Sequence, residues 1–170
     1  EIKLEDPNMA FARDLFIFGC WTGISFIDIK NLTEDNISIV NDAPWIISKR
    51  QKTGVPFQIK LMDIPMLIIE RYKSFRKDNH LFNIGNLDSI NKRIKKVAAM
   101  CGIKKRVSFH VSRHSWAVLA LEYGMPIESV SKILGHTNIT TTQIYAKVTS
   151  TKLDHDISVF AVSYTHLRAH

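Results

Sequence analysis

Trp45-Ile46-Ile47-Ser48-Lys49-Arg50-Gln51-Lys52-Thr53-Gly54-Val55-Pro56-Phe57-Gln58-Ile59-Lys60-Leu61 is the stretch that decides the fold class. Residues 45–50 and 55–61 are runs of β-branched and aromatic character. The four residues between them, Gln51-Lys52-Thr53-Gly54, end on a glycine that supplies the permissive backbone of a turn. This is a β-hairpin. Just upstream, Ile37-Ser38-Ile39-Val40 reads as a further strand. Three short strands in succession make a small antiparallel sheet and exclude a βαβ array.

Outward from the hairpin the chain is helical. Toward the N-terminus, Asp6-Pro7 places a capping residue before a first-turn proline, and Phe11, Leu15 and Phe18 follow at helical spacing. The pattern breaks between Gly19 and Gly23, and a short helix through Phe26, Ile27, Ile29 and Leu32 comes next. After Pro65 five helices are expected. One runs to Tyr72, and one is centred on Ile90, Ile94 and Val97. The others are His110 to Tyr123, Pro126 to Leu134, and one from near Asn138 that carries Tyr145. The fold class is α+β and mostly helical, a single domain over residues 1–160. The last ten residues, AVSYTHLRAH at 161–170, drop the amphipathic pattern and read as a fusion or assembly scar, or else a native disordered tail.

The 170 residues carry 45% hydrophobic and 23% charged side chains, the proportions of a globular domain. The net charge of +7 favours a polyanionic partner, nucleic acid first and an anionic membrane surface second. No run is apolar enough to span a bilayer, and the opening residues do not resemble a signal peptide. Cys20 and Cys101, in apolar surroundings without CxxC spacing, read as buried free thiols of a reducing compartment. The expected location is the cytoplasm.

Chemistry concentrates in two segments. In Ser108-Phe109-His110-Val111-Ser112-Arg113-His114, His110 and Arg113 lie three apart and share a helix face that Ala117 continues. A guanidinium binds phosphate oxygens in pairs, and an imidazole beside it can donate a hydrogen bond or move a proton. H-x-x-R alone is a weak signal. The second segment is Leu134-Gly135-His136-Thr137-Asn138, followed nine residues after His136 by Tyr145 in Thr140-Thr141-Thr142-Gln143-Ile144-Tyr145-Ala146.

H-x-x-R, then L-G-H, then a tyrosine nine positions on, resembles the C-terminal signature of the tyrosine recombinases, the phage-integrase family. Gly124-Met125-Pro126-Ile127 and Val130 to His136 resemble the family's linker and penultimate helix, and the likeness covers Phe11 to Tyr145. It implies a recombinase catalytic domain, helices around a small antiparallel sheet. It implies strand cleavage and rejoining through a 3′-phosphotyrosine at Tyr145, with no cofactor, metal or ATP. Arg113 would clamp the non-bridging oxygens, His110 would transfer a proton or donate to the phosphate, and His136 would contact the same phosphate. Lys52, in the hairpin turn, would protonate the leaving 5′-oxygen. His114 is expected to be structural. The partners implied are double-stranded recombination sites, a homo-tetramer on DNA and accessory DNA-bending factors. A second, N-terminal DNA-clamping domain belongs to the family and is expected to be missing here. The apolar positions Val148, Leu153, Ile157 and Phe160 suit a helix docked on a neighbouring copy or on its own domain.

One position departs from the pattern. Thr22-Gly23-Ile24-Ser25 has serine where the family carries its first arginine, in a form that resembles some integrases of conjugative elements. Arg50 is the expected replacement. It precedes Lys52 by two on the same hairpin, and alternate strand residues share a face. Asp28 is expected to orient a catalytic cation or to fill the place by a hydrogen bond. Lys92, Arg93, Lys95 and Lys96, with Lys104, Lys105 and Arg106, suit phosphate-backbone contacts, which give affinity and register but little sequence choice. The alternative from the Ser25 gap is a catalytically impaired recombinase-like DNA-binding module. A helix-turn-helix regulator would account for the charge and the Gly124 turn but assigns nothing to Tyr145 or Lys52.

Overall fold

The computed structural model describes residues 4–146, 153–159 and 161. Its elements are α1 (Pro7–Thr22), α2 (Phe26–Lys30), β1 (Ile37–Val40), β2 (Ala43–Lys49), β3 (Pro56–Lys60), α3 (Asp63–Tyr72), α4 (Leu87–Met100), α5 (Phe109–Glu122), α6 (Ile127–Leu134) and α7 (Thr140–Gln143). The strands form one antiparallel sheet in the order β1-β2-β3, with Ile46 opposite Ile59 and Ser48 opposite Phe57. Between β1 and β2, Asn41 and Asp42 both take positive φ, the two-residue turn that matches strand twist.

Helix α1 is the hub, packed against α3, α4 and α5. The expected break between Gly19 and Gly23 is corrected in part. The helix continues through Gly19 to Thr22, and only Gly23, at φ 65°, ends it. Gly19 is there because α5 passes so close: a Cβ would stand 2.4 Å from Ser112 Oγ. Phe18 meets Phe82 edge to face at 5.2 Å, and Phe26 meets Phe109 at 5.3 Å, closing the core between α1, α2 and α5.

Asp14 is the buried polar tie between α1 and α3. Its carboxylate accepts from Arg13 Nε at 2.8 Å, Arg71 Nη1 at 2.7 Å and the Tyr72 hydroxyl at 2.8 Å. Burial works to raise its pKa, but these three donors outweigh burial and hold it below the usual carboxylate range. A depressed folded-state pKa gives stability that is present above the unfolded value and lost as pH falls through the folded one. Asp14→Asn is therefore expected to lower stability by about 2 kcal/mol at neutral pH. The gap from wild type should narrow in acid, as read by urea denaturation across that range.

Two further expectations are corrected. Cys101 is exposed where α4 ends, because the chain turns out to solvent at Gly102; Cys20 is half-buried, and burial pushes its thiol up to about 11. The last short helix does not carry Tyr145: α7 ends at Gln143, and the Tyr145 N–H bonds back to the Thr142 carbonyl at 3.0 Å. Three consecutive β-branched threonines are poor helix formers and explain the brevity. Residues 153–159 are helical, with Leu153 and Ile157 exposed; Val148 and Phe160 of the expected docking helix, and nearly all of the 161–170 tail, lie outside the described residues. Among the described residues no helix is long and apolar enough to cross a membrane.

Candidate active site

The site is built where α5, the hairpin root and the end of α6 meet. The first turn of α5 is fixed from α4: Asn91 Oδ1 accepts the Phe109 N–H at 2.7 Å, satisfying one of the helix's orphan donors. One turn later Arg113 is buried. Its Nη1 donates to the Gly23 carbonyl and its Nη2 to the Leu134 carbonyl, each at 2.7 Å. His110 is exposed and lines, with Ser25, Asn91 and Arg113, a cavity of about 270 Å³.

The Ser25 position is not simply a gap. Ser25 caps α2, and its Oγ donates to Asp28 Oδ2 at 2.6 Å. The same Asp28 oxygen accepts Arg50 Nη1 at 2.8 Å, while Oδ1 accepts the Gln51 N–H at 2.8 Å. Asp28 thus holds the guanidinium and the hairpin root at once. Arg50 is 6% exposed, lies with its guanidinium carbon 3.9 Å from the centroid of the Phe57 ring, and donates from Nη2 to the Ile133 carbonyl at 2.8 Å. Its Nε is buried without a partner.

The premise that Arg50 and Lys52 share a strand face is corrected. Strand β2 ends at Lys49, and residues 51–53 turn, closed by Gly54 N–H to the Arg50 carbonyl at 2.7 Å. Arg50 points into the protein and Lys52 is exposed at the turn. Arg50 reaches the site through Asp28 and α6 rather than through strand alternation.

Both guanidinium groups rest on consecutive carbonyls, Ile133 and Leu134, at the C-terminal end of α6, where the helix dipole favours positive charge. Gly135 then leaves the helix at φ 63°, and its α-carbon lies under Arg50: a Cβ there would be 2.7 Å from Nε. Past that turn His136 comes back over Arg113, with Nε2 at 3.2 Å from Nη2 and Nδ1 at 2.8 Å from Thr142 Oγ1. Burial and the Arg50 charge push Arg113 down to about 10, so it stays protonated at neutral pH. Burial, then Arg113 and Arg50, hold His136 below its ordinary value.

Tyr145 is 7% exposed, and its ring meets His114 edge to face at 4.6 Å. The Tyr145 N–H bonds to the Thr142 carbonyl at 3.0 Å, and the Thr142 hydroxyl meets His136 Nδ1 at 2.8 Å, which ties Tyr145 to the His136 side of the cluster. Arg50, Arg113 and His136 are therefore brought together at the end of α6, with Tyr145 joined to His136 through Thr142, His110 opening onto the Arg113 cavity and Lys52 outside the cluster. Lys92, Lys96, Lys104, Lys105 and Arg106 are exposed, and Arg93 is half-buried with Nη1 on Ser89 Oγ at 2.6 Å. Sequence reasoning missed Thr142 and Phe57 as members of the site. Thr142 had one signal in the sequence, its place three residues before Tyr145.

Residues 5–152 match the Phage integrase family. The tyrosine recombinase XerA of Pyrococcus horikoshii is 31% identical over 149 residues, 82% of this chain and 50% of the relative. XerA of Thermococcus onnurineus is 48% identical over 156 residues, 84% of this chain and 53% of the relative. The chain spans about half the length of these curated relatives. Among solved structures, the XerH site-specific recombinase bound to palindromic difH substrate superposes with a TM-score of 0.75 at 18% identity, over 94% of this chain and 48% of that one. The Tn1549 transposon integrase in complex with transposon right end DNA gives 0.68 at 17%, over 94% and 66%. With the match running from the start of α1 to just past Tyr145, the chain belongs to the phage integrase family of tyrosine recombinases.

Proposed function

We propose that this chain is the catalytic part of a site-specific DNA recombinase that integrates or excises a mobile element. The observation that carries the reading is the gathering of Arg50, Arg113 and His136 at the end of α6, with Tyr145 joined to His136 through Thr142. Two guanidiniums and an imidazole form a preorganised, partly desolvated cradle for the charge that builds on a phosphate under attack. The Tyr145 oxygen attacks phosphorus and its proton passes to a base, for which His110 is the candidate. The new bond is a 3′-phosphotyrosine; the bond that breaks is to the 5′-oxygen, which takes a proton from Lys52 as the exposed hairpin turn closes over the DNA. A second strand's 5′-hydroxyl reverses the step.

Arg50 takes the part of the first family arginine, with Asp28 orienting it and Ser25 completing the carboxylate's bonds. Lys92, Arg93, Lys96, Lys104, Lys105 and Arg106 supply phosphate-backbone contacts, and the working form is a tetramer on two DNA sites, with accessory bending factors. An N-terminal clamping domain completes the grip on DNA. That XerH and the Tn1549 integrase are described bound to DNA supports the choice of partner.

The test is covalent capture. Half-site duplexes nicked near the cleavage point, drawn from a randomised pool, are incubated with the protein and resolved under denaturing conditions. The expected result is a protein–DNA adduct whose linkage maps to Tyr145 by mass spectrometry. A protein that retards DNA yet never forms the adduct would instead be a recombinase-like binding module.

A further inference from the structure

The contacts of His136 define its proton. Arg113 Nη2 is a donor only, so its 3.2 Å approach to His136 Nε2 is a hydrogen bond only if Nε2 offers a lone pair. Crowded by burial and two guanidiniums, the ring is neutral at rest and carries one proton. That proton therefore sits on Nδ1, and Thr142 Oγ1, 2.8 Å away, accepts it.

This tautomer is the wrong one for the work proposed above. A phosphate oxygen is an acceptor only, so a ring that holds it through Nε2 must carry a proton there. If the ring stays neutral, Nδ1 then becomes the lone-pair nitrogen and needs a donor. Thr142 is fully buried, so bulk water does not stand in. A hydroxyl can do both jobs, accepting in one state and donating in the other by rotation about its C–O bond.

We propose that Thr142 is a positioning residue whose hydroxyl turns from acceptor to donor while His136 exchanges Nδ1–H for Nε2–H, as a phosphate oxygen displaces Arg113 from Nε2. The exchange moves no net charge: Nε2 takes a proton from solvent at the half-buried ring, the transient imidazolium then gives its Nδ1 proton back to solvent, and the Thr142 proton stays on its oxygen. The resting half rests on the contacts of the two ring nitrogens and on the crowding of the ring by two guanidiniums, and the exchange half rests on the phosphate-cradle reading.

Ring nitrogen NMR of the histidine-labelled chain tests both halves, with the His136 signals assigned by their absence in His136→Asn. In the free protein the expected pattern is a pyrrole-like Nδ1 and a pyridine-like Nε2. Nε2–H at rest, or two averaged nitrogens, overturns the assignment without any variant. Inorganic phosphate is then added, with binding followed by phosphorus line width. Bound phosphate should invert the pattern. An unchanged ring, or a ring protonated on both nitrogens, overturns the exchange. Phosphate that does not bind overturns the cradle itself and the exchange with it. Thr142→Ser should keep the resting pattern, and Thr142→Val should lose the Nδ1 preference while the fold, read from backbone amide shifts, persists. If Thr142→Val does not fold, the wild-type and serine patterns still decide. Covalent DNA capture by a protein whose resting ring is Nε2–H would overturn the Thr142 role and leave the recombinase reading standing.

Discussion

Arg50→Ala is expected to reduce the yield of covalent protein–DNA adduct by about 10²–10³-fold, the scale on which removing one preorganised donor to a developing oxyanion acts. Near-normal adduct would remove Arg50 from the cradle. The same change should cost about 3 kcal/mol of folding stability, because Asp28 is buried and would lose its countercharge. The two effects separate with companion variants. Arg50→Lys keeps a charge but cannot place one donor on Asp28 and another on Ile133 while lying flat on Phe57, so activity should recover little. Asp28→Asn leaves Arg50 present but without its anionic partner. If adduct formation falls for Asp28→Asn as well, with the protein still folded by circular dichroism, Asp28 acts through the placement of Arg50.

Gly135→Ala should damage the candidate site with a single methyl group. At φ 63° any other residue costs roughly 1–2 kcal/mol in backbone strain. Here the new Cβ would also meet Arg50 Nε at 2.7 Å and Cγ at 2.8 Å. A free arginine tail would swing aside. This one is held by Asp28, Ile133 and Phe57, so it must break those contacts to yield. Displacing it should lower adduct formation by about 10²-fold, as expected for ångström-scale misplacement of a group at a reacting centre. Gly124→Ala is the control: its φ is +86°, and nothing lies within 4 Å of the added carbon. Gly124→Ala should show the strain cost alone, with adduct formation close to wild type in the folded fraction. Equal losses at both glycines would mean that the contact with Arg50 does not matter.

Much of this arrangement could be read in the sequence, for identifiable reasons. The hairpin showed because runs of β-branched and aromatic residues around a Gly54 turn are local signals. His110, Arg113, His136 and Tyr145 showed because their spacing is a chain-order motif. The missing cation at Ser25 points to Arg50, whose part in catalysis is a proposal, but a shared strand face does not place its side chain. The strand ends at Lys49, and the side chain is drawn inward by Asp28, 22 residues earlier in the chain, and by the Ile133 carbonyl, 83 residues later. No local pattern encodes a contact between a side chain and a distant backbone carbonyl. The same holds for Asn91, which fixes the start of α5 from another helix, and for Gly19, whose smallness answers to Ser112. The exposure of Cys101 was missed because burial at a helix end depends on where the next segment leaves.

The Ser25–Asp28–Arg50 arrangement also constrains how such a domain could have arisen. Restoring an arginine at position 25 here would remove the α2 cap and the hydroxyl that satisfies Asp28, and would bring another cation toward a carboxylate already occupied by Arg50. An arginine at position 25 and the hairpin arginine would thus compete for one anionic anchor. The two positions are expected to be epistatic: an arginine at 25 with Arg50 kept, or Arg50 lost with Ser25 kept, should each be worse than the two changes together.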